Sequence, residues 1–226
     1  MRRRTTALLI TGLLAGSIAA AGPAAAGKGP SAKATLWVVH GVPGATVEIC
    51  VDGAEVRSGF EYGQRFSARL PAGTYDVEVR ADDPATCEGA KVLAASPTLE
   101  ANKNYTAVAG LASAGAPKLF LFRNEVRAVT DDYARVTVRH TAAAPKVDVL
   151  VNGRALLQDF ANGDEATVRV REDDYRVRVN VANTKTTAIG PKTFDLEDGR
   201  AYQVFAVGNG DAGYRLLVLS EAVGTK

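Results

Sequence analysis

The chain has 226 residues, 46% hydrophobic and 23% charged, with 22 Gly and 9 Pro. That composition excludes a disordered polymer, a collagen and a coiled coil, and leaves apolar material for one or two packed cores. The formal charge is +2; Arg2, Arg3 and Arg4 account for three of the 27 basic residues, which leaves 24 against 25 acidic ones and no electrostatic signature of a nucleic-acid binder.

Arg2–Arg4 form a basic n-region, residues 7–21 an apolar h-region broken only by Gly, Ser and Thr, and Ala24-Ala25-Ala26 a small-residue cleavage site. The pattern predicts a signal peptide over residues 1–26. The apolar run is about 15 residues, short of the roughly 20 a membrane span needs. The expected product is secreted, without stable membrane insertion, and begins with a flexible Gly/Pro/Lys/Ser leader over residues 27–33.

The rest of the chain repeats. Val38, His40 and Val47 match Val138, His140 and Val147 one hundred residues on. Val51-Asp52-Gly53 matches Val151-Asn152-Gly153, and Tyr75, Val77 and Val79 match Tyr175, Val177 and Val179. Further on the spacing is three residues shorter, so Tyr105 matches Tyr202 and Leu119 matches Leu216. The units are 34–123 and 134–220, joined by a linker over 124–133 and followed by a tail over 221–226. Each unit reads as period-two strands punctuated by turns such as Asp52-Gly53, Pro71-Ala72-Gly73, Asn152-Gly153 and Asn162-Gly163. The fold class is therefore all-β: two tandem immunoglobulin-like β-sandwiches.

Two segments, Leu119-Phe120-Leu121-Phe122 and Leu216-Leu217-Val218-Leu219, are apolar on both faces, so each strand is covered on both sides by a loop, the linker or the other domain. Tyr75, Tyr105, Tyr175 and Tyr202 read as core aromatics with a hydrogen-bonded hydroxyl. Cys50, outward in phase, and Cys87, in the Asp82–Ala90 loop, are predicted to form a disulfide within the first unit, since an even cysteine count suits an exported chain.

His40 and His140 are the only histidines and sit at equivalent strand ends. A metal ligand or a general base is one reading. Repetition favours the other, a loop anchor that both copies of a fold need. No Gly-x-Ser-x-Gly, Walker loop or His-Glu-x-x-His occurs, so no catalytic residue, cofactor or metal is assigned. Trp37 has outward phase: on an open face it would stack on a sugar, and against a neighbouring domain it would be structural. Arg135, Arg139, Arg169, Arg176 and Arg178 also have outward phase. If a tight turn through Arg171–Asp174 pairs Val170 with Tyr175, Arg169 stands opposite Arg176, and Arg135 and Arg139 extend the patch if their strand is a neighbour. One reading is then a site for an anionic partner, the other a solvated face neutralised by Glu165, Glu172, Asp173 and Asp174.

The stretch His140-Thr-Ala-Ala-Ala-Pro-Lys-Val-Asp-Val-Leu-Val-Asn-Gly153, with its looser copy from Val39 to Gly53, resembles the signature of a secreted bacterial family catalogued as domain of unknown function 4397. Leu70-Pro71-Ala72-Gly73-Thr74-Tyr75 and Asn102-Lys103-Asn104-Tyr105-Thr106 resemble it too, whereas the second unit has Arg171-Glu172-Asp173-Asp174 in place of the Pro-Ala-Gly turn. The resemblance implies tandem immunoglobulin-like folds and carries over no catalytic residue. The function expected is a secreted, non-enzymatic binding or structural module contacting an anionic cell-surface polymer or an extracellular protein. The alternatives are a carbohydrate-binding accessory using Trp37, and a metal-dependent hydrolase using His40 or His140.

Overall fold

The computed structural model describes residues 32–83 and 86–226, and the signal-peptide expectation lies outside them. The described chain is all β. Its first part runs β1 (Lys33–His40), β2 (Thr46–Val51), β3 (Ala54–Glu61), β4 (Arg65–Pro71), β5 (Gly73–Thr74), β6 (Val77–Ala81), β7 (Lys91–Ala95), β8 (Thr98–Leu99), β9 (Asn104–Leu111) and β10 (Pro117–Asn124). The second part follows with β11 (Tyr133–His140), β12 (Val147–Val151), β13 (Arg154–Phe160), β14 (Glu165–Arg171), β15 (Asp173–Val181), β16 (Thr187–Leu196), β17 (Arg200–Asn209) and β18 (Gly213–Ala222).

Four four-stranded sheets result, in the orders β10-β9-β1-β4, β3-β2-β6-β7, β14-β11-β17-β18 and β13-β12-β15-β16. The first two make one sandwich and the last two the other. The repeat explains why the topologies coincide: β1 pairs in parallel with β9, and β11 with β17, while the other pairings are antiparallel. Period-two alternation sends Leu36, Ile49, Val77 and Val79 inward in the first sandwich and Val147, Val149 and Val179 in the second.

The turns follow from local chemistry. Asp52-Gly53 and Asn152-Gly153 take positive φ at both residues (51° and 78°; 50° and 82°) and close the β2–β3 and β12–β13 hairpins. Asp52 Oδ1 accepts the Asp76 N–H, and Asn152 Oδ1 accepts the Arg176 N–H, each at 2.9 Å. Asp and Asn interchange between the copies because only an acceptor is needed.

One sequence expectation fails here. The segment after β14 is not a hairpin. It is a corner that carries the chain from one sheet to the other: β14 pairs with β11, while β15 pairs with β12 and β16. Arg169 therefore does not face Arg176. A two-residue break between alternating strands fits a hairpin and a sheet-switching corner equally well, and the inward phase continues through both. The corner is held by Tyr175, whose hydroxyl donates to Arg171 O at 3.0 Å; Tyr75 does the same to Pro71 O at 2.6 Å. Tyr105 and Tyr202 hydroxyls accept the N–H of Glu100 and Glu197. All four tyrosines hold the bonded-hydroxyl role read from the repeat.

Cys50 and Cys87 are disulfide-bonded, with Cα atoms 6.1 Å apart across a separation of 37 residues. The bond fixes the Cys87 loop to β2. Beneath it Glu48 is buried, and its Oε2 accepts the Cys87 N–H at 2.9 Å.

Candidate functional site

The most elaborate arrangement of polar side chains lies where the two sandwiches meet. The outward faces of β1, β9 and β10 pack on those of β17 and β18. Val39, Val108, Phe120, Phe205, Val207, Leu217 and Leu219 form one buried cluster, with Trp37, Tyr62 and Phe122 against it. Burying seven such side chains is worth roughly 1.5–3 kcal/mol each before entropy is subtracted, more than the surrounding hydrogen bonds at about 1 kcal/mol apiece. Apolar burial therefore holds the faces together, and the polar groups fix how they meet. On the strand that is apolar on both sides, Phe120 and Phe122 face the other sandwich and Leu119 and Leu121 line their own, where Leu121 stays 43% exposed, so that side is only partly covered.

A continuous chain of hydrogen bonds crosses this contact. Glu165 Oε2 accepts from Arg139 Nε at 2.6 Å, and Arg139 NH1 donates to Asn124 Oδ1 at 2.8 Å. Asn124 Nδ2 donates to Asn104 Oδ1 at 2.7 Å and Thr106 Oγ1 at 2.9 Å. Asn104 Nδ2 donates to both Glu221 oxygens at 3.0 and 2.9 Å. Glu221 Oε1 also accepts the Trp37 indole N–H at 2.9 Å. The Arg139 guanidinium lies over Phe122 (4.5 Å) and Phe205 (5.3 Å). Burial pulls its pKa below the ordinary arginine value, and Glu165 opposes that shift.

Backbones also meet. The Leu111 N–H donates to Thr141 O at 3.0 Å, and Asn162 Nδ2 bridges Leu111 O and Ala142 O at 2.8 Å each. A side chain at Gly110 would place its Cβ 2.7 Å from Thr141 O, so glycine permits this approach.

The five arginines grouped by phase divide between two sheets: β11 and β14 are neighbours, so Arg135 stands directly opposite Arg169 with Arg139 on the same face, whereas Arg176 and Arg178 lie on β15 in the other sheet. Arg139 is 1% exposed and belongs to the inter-sandwich chain; Arg135 is 6% exposed. Arg135 NH1 donates to Arg127 O at 2.6 Å and NH2 lies 3.5 Å from Glu125, so it clasps the linker. Neither presents a free cation to solvent, because the outer face of β11 is covered. Arg169 is exposed beside Arg127, Thr130 and Lys226, in a cleft of about 450 Å³. Hydrogen bonding from Arg127 is the largest influence on the Glu125 carboxyl and, with the charges of Arg135, Arg127 and Arg169, holds it below the usual range against the opposing effect of desolvation. Arg176 and Arg178 lie on the other sheet, around a recess shared with Asn152 and Pro191.

Trp37 is placed against the second sandwich rather than on an open face. His40 and His140 are each 1% exposed. Their Nε2 atoms bond Ala45 O at 3.1 Å and Pro145 O at 3.2 Å, and His40 Nδ1 accepts the Val42 N–H at 3.3 Å. Burial lowers both pKa values, so the neutral ring is the anchoring form. Among the described residues, the one cluster of metal-type donors is Glu48, Cys50 and Cys87, and its two sulfurs are joined in the disulfide.

Fold and contact together define a duplicated β-sandwich protein whose copies use the same outer face toward each other. The chain belongs to the family described as a domain of unknown function (DUF4397), whose model matches residues 34–149 and, overlapping them, 142–226, which is consistent with tandem copies. No curated protein matches. Among solved structures, the Bacillus anthracis TIE protein is 12% identical, over 77% of this chain and 33% of that one, with a TM-score of 0.26. The chain thus spans about a third of that protein's length.

Proposed function

We propose that the chain is a secreted, non-enzymatic structural module, a rigid two-sandwich unit that holds its outer loops at fixed spacing. The observation that carries this reading is the hydrogen-bonded chain from Glu165 to Trp37 within an apolar contact. A flexible tandem linker would leave such faces solvated. Both histidines are buried as loop anchors, which supports a non-catalytic role. A disulfide is at home in an oxidising compartment, which supports export. No helix among the described residues is long and apolar enough to cross a membrane. Small-angle X-ray scattering at low and high salt tests the reading: one rigid particle with an unchanged maximum dimension supports it, and a profile that needs an ensemble of domain orientations contradicts it.

A second reading is favoured by one observation. Arg127, Arg169 and Lys226 converge on the cleft beside the linker that Arg135 holds in place. We propose this narrower cluster, in place of the five-arginine face, as the contact for an anionic extracellular polymer. Arg127→Glu with Arg169→Glu, compared with wild type on heparin at low and high salt, separates the possibilities. Salt-sensitive binding lost in the variant supports the contact, and absence of wild-type binding at low salt removes it.

A further inference from the structure

Both sandwiches are hollow at the same place. The second has a partly open apolar cavity of about 240 Å³ between its sheets, lined by Val136, Val168, Val177, Phe194, Val204 and Leu216 among others. The first has one of about 270 Å³, also partly open, and its lining includes the equivalent positions Leu36, Ala68, Val77, Ala107 and Leu119. Protein interiors are close-packed, with few voids larger than a water molecule. Sheets about 10 Å apart need large side chains to fill the gap, and these inner faces supply mostly Val and Ala. Several inward residues, including Val136, Val138, Val168 and Val177, remain only half-buried. The same space persists although the lining differs between copies, Leu36 against Val136 and Ala68 against Val168.

The lining also defines what fits. Its tyrosine hydroxyls are committed, Tyr175 to Arg171 O and Tyr202 to the Glu197 N–H, and His140 Nε2 is bonded to Pro145 O. Among these polar side chains only the His140 Nδ1 lone pair lacks a partner. A polar ligand would enter at the full cost of its lost hydration, whereas a hydrocarbon loses nothing. An apolar cavity of about 150 Å³ accommodates benzene, so these are large enough for roughly eight to ten carbons. Each cavity has an apolar rim: Val56 on β3 and Leu156 on β13 hold equivalent positions, line the cavities, and are 48% and 43% exposed.

We infer that each sandwich takes one unbranched aliphatic chain between its sheets, entering past Val56 or Leu156 with its polar head left in solvent. The inference is independent of the structural reading above and holds whether the chain belongs to a free fatty acid or to a lipid.

The test is titration of the mature protein with decanoate, by isothermal calorimetry and by methyl NMR of labelled valines. Two saturable sites per molecule are expected, with shifts at the inward valines. Val204→Phe should leave one site, and Val204→Phe with Ala107→Leu should leave none. Where Val204→Phe does not fold, Val136→Leu with Val204→Leu should weaken the second site at least tenfold. Arg176→Glu, on an outer face, should leave both. A parallel arm with dioctanoyl phosphatidylcholine separates the sources: competition with decanoate assigns the site to lipid chains as well, and none assigns it to free fatty acid. No saturable decanoate binding, or an unchanged stoichiometry in a folded filled variant, would overturn the inference.

Discussion

Trp37 and Glu221, 184 positions apart in sequence, are joined by a 2.9 Å hydrogen bond that ties the first strand of one sandwich to the last strand of the other. Glu221 also accepts from Asn104, so its carboxylate satisfies donors on two strands of the first sandwich. Glu221→Ala leaves both donors without their partner, at about 1–3 kcal/mol. Trp37 is the single tryptophan, so its fluorescence reports this contact without labelling. Emission should move to longer wavelength in Glu221→Ala, and an unchanged spectrum would count against the contact.

Arg139 should be the most costly single truncation on this face. Its side chain is 1% exposed, while that of its partner Glu165 is 41% exposed. Arg139→Ala leaves the buried Asn124 Oδ1 without its donor and removes the cation stacked on Phe122 and Phe205, an expected loss of about 3 kcal/mol in urea denaturation. Glu165→Ala should cost less, because solvent replaces part of what is lost. Arg139→Lys should not restore stability, since a point charge does not reproduce the guanidinium's simultaneous contacts. Equal losses for Arg139→Ala and Glu165→Ala would show that only the ion pair matters.

Strands, turns, repeat and disulfide were legible in the sequence because each has a local signal: period two, Asp-Gly and Asn-Gly pairs, matched spacing, and cysteine parity. Phase correctly placed Trp37, Arg135 and Arg139 on outer faces. Phase does not say what covers an outer face, so it does not separate the buried Arg135 and Arg139 from the exposed Arg169 and Arg176. The missing signal lay in the differences between copies. Outward positions that meet across the contact differ in kind, Trp37 against Thr137, Val39 against Arg139, Asn104 against Ala201 and Asn124 against Glu221. Inward positions keep their character. A duplicated fold whose copies diverge on one outer face is making unequal halves of one interface. Asn104 and Glu221 carry no signal in the sequence, because a lone Asn or Glu on a strand has no period or motif of its own.

The disulfide closes a long loop onto β2, and removing it should cost about 2–5 kcal/mol. Cys50→Ala with Cys87→Ala should lower the urea midpoint, and wild type under reductant should fall to the same value. Unchanged midpoints in both would mean that Glu48 and its bond to the Cys87 backbone hold the loop without the sulfurs.

Stability should fall with acid earlier than carboxylates alone would cause. Burial holds the folded pKa of His40 and of His140 below the ordinary 6.5. As pH drops through 6.5 the unfolded chain takes up protons that the folded chain refuses, so unfolding gains. The contribution is fully present above 6.5 and is lost between 6.5 and the depressed folded values, at up to about 1.4 kcal/mol per pH unit for each histidine. Glu78 and Glu125, held low chiefly by hydrogen bonds from Lys91 and Arg127, add losses of the same sign only below the ordinary 4.5. Urea denaturation between pH 7.5 and 5 checks this: His40→Gln should reduce the slope by about half, and an unaltered slope would contradict the assignment.

The central claim is that the two sandwiches are one rigid body joined through their outer faces. Residual dipolar couplings of backbone N–H groups, measured on the full chain in a weakly aligned medium, test it most directly. A single alignment tensor should fit β1–β10 and β11–β18 together, and should split in Arg139→Ala with Trp37→Ala. Two distinct tensors in the wild-type protein would contradict the account.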